Sequence, residues 1–177
     1  MKTVIRAMFV VFLCLAGTQV PSQITVPEVV AADPSSPPLI AKEEEVRAFL
    51  SQYVERYNKK DLEEFLSLFS LRARQNQQDG LPEIRVIYTT LFNRSKSLQL
   101  SLENMKIEIY QNAAEVRASY SVNQVMKEGG AKKFWRGDAR WILTKEEEKL
   151  HIVSVDYQYS IPPTVAGEIP EPRPLLA

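Results

Sequence analysis

The chain is short of the groups from which metal and redox sites are built. Its 177 residues include one cysteine and one histidine, which excludes an internal disulfide framework and a Cys/His zinc cluster. No metal or other cofactor is expected. Neither sign of charge is in excess, since 22 Lys and Arg balance 22 Asp and Glu. A nucleic-acid binder ordinarily shows a basic excess or stripe, so nucleic acid is not an expected partner. There is no apolar run as long as the ~18 residues a membrane-spanning helix needs, and a multi-spanning protein is excluded. No internal repeat is visible. What is there, 25% charged and 45% apolar residues, is the composition of a folded soluble domain, and the length suits one domain with tails.

The two ends read differently from the middle. Residues 1–22 carry the marks of an export signal: Lys2 and Arg6, then the apolar stretch from Ala7 to Ala16. Small residues at Cys14 and Ala16 suit cleavage after Ala16, and Val20-Pro21-Ser22 offers a later site. Contact with a membrane is expected only through this segment if it stays uncleaved. Ten of the eleven prolines lie outside residues 40–160. They mark a linker over 23–40 and a disordered tail over 161–177, because such segments favour solvated, extended backbone. Pro170, Pro172 and Pro174 suit a docking peptide, although a floppy end is the simpler reading. The domain is expected over 41–160.

Within it, helices come first. Val46, Phe49, Leu50, Tyr53, Val54 and Tyr57 recur at steps of three and four, predicting an amphipathic helix over 41–58 with Glu43, Glu44 and Glu45 at its positive end. Asp61 and Glu64 have capping-box spacing for a short second helix ending near Ser70, with a short strand over 71–77. Pro82 suits the first turn of a third helix, which would bury Ile84, Ile87, Tyr88 and Leu91. Beyond residue 96 the period falls to two. Leu98, Leu100 and Leu102 alternate in one parity, and Met105, Ile107 and Ile109 in the other. That switch predicts a β-bulge near Glu103-Asn104. Ala114 to Val122 alternate likewise. Gly129-Gly130 and residues 146–149 mark turns, with strands over 132–145 and 150–159. The fold class is therefore α+β: three helices packed on a curved antiparallel sheet of four long strands, plus the short one.

This order resembles the NTF2-like, or SnoaL-like, superfamily over roughly residues 41–159. The motif VRAFLSQYVERYNKKDLEEFLSLF looks like that family's opening helices, with Tyr57, Asp61 and Leu68-Phe69 at its expected places. LFNRSKSLQLSLENMKIEI followed by GDARWIL is similar to the NTF2-like domain appended to some bacterial L,D-transpeptidases, through Phe92, Arg94, Ser95 and Lys96. Their catalytic domain, with its Cys and His, has no counterpart in the sequence, so transpeptidase activity does not follow. The resemblance implies a cone-shaped sheet wrapped on helices, often enclosing a pocket, and often a homodimer.

The expected pocket residues are Tyr53, Tyr57, Tyr120, Trp141 and Asp156. Asp156 shares parity with Ile152 and Ser154, which makes it the carboxylate best placed to face inward. Asp138, between Arg136 and Arg140, reads as part of an ionic ladder on the outer face. Lys132, Lys133, Arg136 and Arg140 form a small basic group. Gly137 and Ala139 between Trp135 and Trp141 leave room for helices or a ligand. His151 reads as an ordinary strand residue. With no matched catalytic set, the expected function is non-enzymatic: an exported domain that binds an envelope protein or a small hydrophobic or amphipathic ligand in the bacterial cell envelope or periplasm. The resemblance adds a link to peptidoglycan processing. The alternative is a SnoaL-type isomerase, dehydratase or hydrolase, which would need Asp156 within reach of Tyr53 or Tyr57. Mass spectrometry of the exported protein is expected to find an N-terminus between Gly17 and Gln23, and therefore no thiol to label.

Overall fold

The computed structural model describes residues 37–165, with side chains as far as Ser160. Three helices come first: α1 (Glu43–Lys59), α2 (Leu62–Leu66) and α3 (Leu81–Arg94). In α1 the Glu45 carboxylate reaches back to accept the Lys42 backbone N–H at 2.7 Å. Lys60, in the left-handed region at φ 58°, ends the helix. The helix buries Val46, Phe49, Leu50, Tyr53 and Tyr57, as the periodicity predicts. Asp61 caps α2, accepting from the Glu64 N–H at 3.3 Å. This helix stops at Leu66 rather than near Ser70, because the Ile152 N–H donates to the Leu68 carbonyl at 2.8 Å and draws the chain into the sheet. Pro82 sits in the first turn of α3, and Ile84, Tyr88 and Phe92 are its buried stripe. Ile87, expected inside, is 37% exposed.

The strands are β1 (Phe69–Gln75), β2 (Ser95–Ile109), β3 (Ala114–Met126), β4 (Lys132–Glu146) and β5 (Lys149–Val165). They form one sheet in the order β1-β5-β4-β3-β2. Every pairing is antiparallel except β1 with β5, which is parallel, so the sheet is mixed. β1 begins two residues before the expected 71, and ends where Asn76 and Gln77 turn at φ 49° and 62°. β5 runs to Val165, past the expected end at residue 159. Its Pro162 and Pro163 fall where the pairing with β4 is irregular, a position that tolerates a residue without an N–H.

Bulges shape the sheet. The β2–β3 register slips between Glu103 and Lys106, with Asn104 left-handed at φ 53°, which is the parity switch read from the leucines. A second slip was not visible in the sequence. Leu143 pairs with Ile152 but Ile142 pairs with Ser154, leaving Val153 as an extra residue in β5. A third, between Gly137–Tyr159 and Arg136–Ile161, leaves Ser160 extra. Bulges increase local twist and bend the strand, and they curl long strands over the helices.

Two asparagines extend the pairing where strands run out. At the free edge of β2, Asn58 of α1 takes the place of a neighbouring strand: it accepts the Leu100 N–H at 2.6 Å and donates to the Leu100 carbonyl at 3.2 Å. Asn76, just past β1, accepts the Tyr157 N–H at 2.9 Å. The core between sheet and helices is centred on Phe65, fully buried, whose ring lies 4.6–5.8 Å from those of Tyr53, Tyr57, Phe69, Tyr88 and Phe92.

The small residue at Gly137 does not make room for helices or a ligand. A Cβ there would lie 1.8 Å from the Gln158 carbonyl oxygen and 3.1 Å from the Tyr120 ring, so the space is filled by the β5 backbone at its bulge. Gly137→Ala is expected to force β4 and β5 apart and to cost at least about 2 kcal/mol, read as a lowered urea midpoint.

Candidate functional site

The curled sheet and the helices enclose a cavity of ≈ 310 Å³. Every layer contributes to it. Tyr53 and Tyr57 come from α1, four residues apart and therefore on one helical face, and Tyr88 comes from α3. Tyr120 projects from β3, Trp135 and Trp141 from β4, and Tyr157 and Tyr159 from β5. Six of the seven tyrosines and both tryptophans of the chain thus line one space. The rings brace one another edge to face: Tyr53 and Trp141 at 5.8 Å, Tyr57 and Tyr88 at 6.1 Å, Tyr120 and Tyr157 at 6.5 Å. Such contacts hold aromatic walls in fixed orientations.

Four of the five expected site residues, Tyr53, Tyr57, Tyr120 and Trp141, meet here. Asp156 does not. It lies on the opposite face of the sheet, in a groove with Asn104, Lys106, Arg117 and Arg140. The extra residue at Val153 is the reason. It reverses the alternation after Ile152, so Val155 and Tyr157 turn inward and Asp156 turns outward, opposite Arg140. Its Oδ2 is 3.9 Å from Arg140 Nη1 and accepts from the Ser154 hydroxyl at 3.4 Å. The same slip hid Tyr157 and Tyr159 from the sequence reading. Their alternation with Val155 was the available signal.

The lining is polar only in places. Gln124 donates to the Ser95 hydroxyl at 2.6 Å. Tyr157 accepts weakly from Gln75 at 3.4 Å. The indole of Trp141 and the hydroxyl of Tyr88 both act on the Tyr53 hydroxyl, yet the Trp141 N–H has no partner in full hydrogen-bond geometry, and nor has the buried Tyr120 hydroxyl. Burial raises the pKa of Tyr53, Tyr57, Tyr88 and Tyr120 and brings Tyr157 to about 12, because desolvation disfavours the phenolate. All are neutral phenols at physiological pH. Among the described residues the lining includes no carboxylate and no imidazole, and Lys133 is its one formal charge.

The expected basic group divides along the pleat. Lys133 joins the cavity, whereas Arg136 and Arg140 belong to the outer face. The outer ionic ladder keeps the expected Arg140, but its acid is Glu115 and not Asp138. Glu115 accepts from Arg140 through two bonds of 2.8 Å and from Arg117 at 2.6 Å, while Asp138 accepts from the Ser119 hydroxyl at 3.0 Å. His151 contacts only the Lys149 carbonyl through Nδ1, at 3.1 Å. Among the described residues no group of three or more His, Cys, Asp or Glu side chains could hold a metal ion.

A helix-lined, curled mixed sheet of this kind defines an NTF2-like domain, and solved structures share it. An NTF2-like superfamily protein from Salmonella enterica serovar Typhimurium superposes with a TM-score of 0.60 at 20% identity, over 66% of this chain and 89% of its own. A scytalone dehydratase-like protein from Novosphingobium aromaticivorans gives 0.62 at 11%, over 68% and 85%. The hexachlorocyclohexane dehydrochlorinase LinA, type 2, gives 0.60 at 8%, over 75% and 94%. At these identities the likeness is one of fold. Within it, residues 42–158 match the calcium/calmodulin dependent protein kinase II association domain, and the chain belongs to that family. No curated protein matches the chain by sequence. Neighbours on this fold include proteins with enzyme names and proteins of unknown function, so the fold leaves the activity to be argued from the site.

The outer-face ladder carries a pH dependence. Arg140 and Arg117 bring Glu115 from its usual 4.5 down to about 2. A carboxyl depressed in the folded state stabilises above its unfolded pKa, and that contribution is lost as pH falls through the folded one. Stability is expected to decline from about pH 4.5 towards pH 2, and Glu115→Gln to remove that part of the slope in acid-denaturation curves.

Proposed function

We propose that this protein is a non-enzymatic binding domain whose aromatic cavity takes a small, ring-bearing ligand, and that it works after export, in the cell envelope. The observation that carries the reading is the gathering of six tyrosines and both tryptophans around one space. Concave, mostly apolar walls with a few placed polar groups are the usual form of a small-molecule site, and this volume lies at the small end of the ~300–1,000 Å³ range. Edge-to-face bracing supports the reading further, since walls already fixed before binding lose little entropy on binding.

The catalytic alternative finds less support. Acid–base chemistry needs a group whose pKa lies near the working pH. The phenols of the cavity are displaced upward, and Asp156 is on the other side of the sheet. The signal-like N-terminus supports placing the protein in the envelope.

Native mass spectrometry of the protein purified from its own envelope is expected to show a retained small molecule. Ala139→Phe, which puts a ring into the cavity, is expected to lose that mass while still melting cooperatively. A wild-type protein that arrives without extra mass and gives no heat with 2-naphthol would overturn the small-ligand reading in favour of a protein partner.

A further inference from the structure

The free polar groups of the cavity are chemically one-sided. Tyr120 is 8% exposed and Trp141 2%; the Tyr120 hydroxyl has no hydrogen-bond partner, and the Trp141 N–H, directed at the Tyr53 hydroxyl, has none in full hydrogen-bond geometry. An indole N–H can only donate, and a buried donor without an acceptor is costly. The Gln124 amide N–H is already committed to Ser95. Lys133, register partner of Gln124, lines the same cavity and makes no ion pair among the described residues. The nearest sheet carboxylates, Asp138 and Asp156, line the outer grooves instead. Two buried donors and one cation therefore share a space in which no acidic side chain answers them.

Their placement sets a length. Tyr120 is the register partner of Gly137. Lys133 lies four residues along β4 from Gly137, on the same face, about 13 Å away by strand rise. Trp135 stands between them. The cavity thus has a cationic end at Lys133, an aromatic middle, and a neutral donor at Tyr120, with Trp141 four residues beyond Gly137 on β4.

We infer that the ligand is an aromatic carboxylate, its carboxylate at Lys133 and a neutral oxygen directed to the Tyr120 hydroxyl. This specifies the small-ligand reading above and rests on it. A ring-bearing acid fills the aromatic middle, and its oxygens meet the unpaired Tyr120 hydroxyl and the Lys133 cation. A cationic ligand would find aromatic faces, but Lys133 would repel it and the lining holds no carboxylate to offset that charge.

The test is calorimetric titration of the exported protein with three matched probes: 6-hydroxy-2-naphthoate, 2-naphthoate and 2-naphthol. The hydroxy acid is expected to bind at least about tenfold more tightly than 2-naphthol, the factor that one charge-assisted bond supplies. Lys133→Gln is expected to remove that advantage and leave 2-naphthol unchanged, and Lys133→Arg to retain it. Tyr120→Phe is expected to weaken the two hydroxylated probes relative to 2-naphthoate. If 2-naphthol binds as tightly as the acids and Lys133→Gln changes nothing, the anionic ligand is wrong and the small-ligand reading stands. If none of the three binds saturably, both fall.

Discussion

The structure depends on where its strands stop alternating. In a β-strand every side chain faces opposite to the next, so one extra residue exchanges the two faces of everything beyond it. Among the slips, those that matter to the site fall at Asn104 in β2 and at Val153 and Ser160 in β5. The first lets β2 keep apolar residues on the core side over fifteen residues. The second sends Val155 and Tyr157 inward and Asp156 outward. Without it, the cavity would hold an acid and lack two of its aromatic walls. The chemistry of the site is thus a consequence of backbone register before it is one of side-chain type.

The bulges also bend the sheet, and bending requires close packing where strands cross. At Gly137 the β5 carbonyl of Gln158 comes so near that no side chain fits. On the concave side the space is filled by aromatic rings, with Phe65 at their centre. Phe65 belongs to a helix of five residues, too short to be stable alone. That helix is held by its Asp61 cap and by burial of Phe65 and Leu66 between α1, α3 and the sheet. The cavity is the part of this aromatic cluster that the rings leave unfilled, which is why its walls are tyrosine and tryptophan and its polar groups are hydroxyls and an indole N–H.

The two faces of the sheet have separated roles. The outer one carries Glu115, Arg117, Arg140 and Asp156 in contact with one another, so its charges are largely answered. The inner one carries donors and Lys133 with no acid to meet them. This contrast, between a face whose ladder pairs acid with base and a cavity whose lining holds no acid, is what points to an acceptor-rich ligand.

Much of the fold was legible in the sequence, because periodicity is a local property. The 3.6-residue recurrence of Val46 through Tyr57, the Asp61–Glu64 cap, Pro82 in a first turn and the parity switch at Glu103-Asn104 all follow from neighbours in the chain. So do the antiparallel hairpins, whereas Tyr53, Tyr57, Tyr120 and Trp141 were expected to face one pocket through the family resemblance, and they line one cavity. What only the tertiary structure decided involves groups far apart in sequence. Val153 is left extra by the register of β5 on β4, and the alternation of Val155, Tyr157 and Tyr159 was its one local sign. The parallel pairing of β1 with β5, the service of Asn58 to the edge of β2, and the filling of Gly137's space by Gln158 each join segments 40 to 80 residues apart or strands met only after folding. The sequence determined which residues are aromatic, acidic or basic and which elements carry them. The register between strands determined which of them share a space, because a shift of one residue moves a side chain from one side of the sheet to the other.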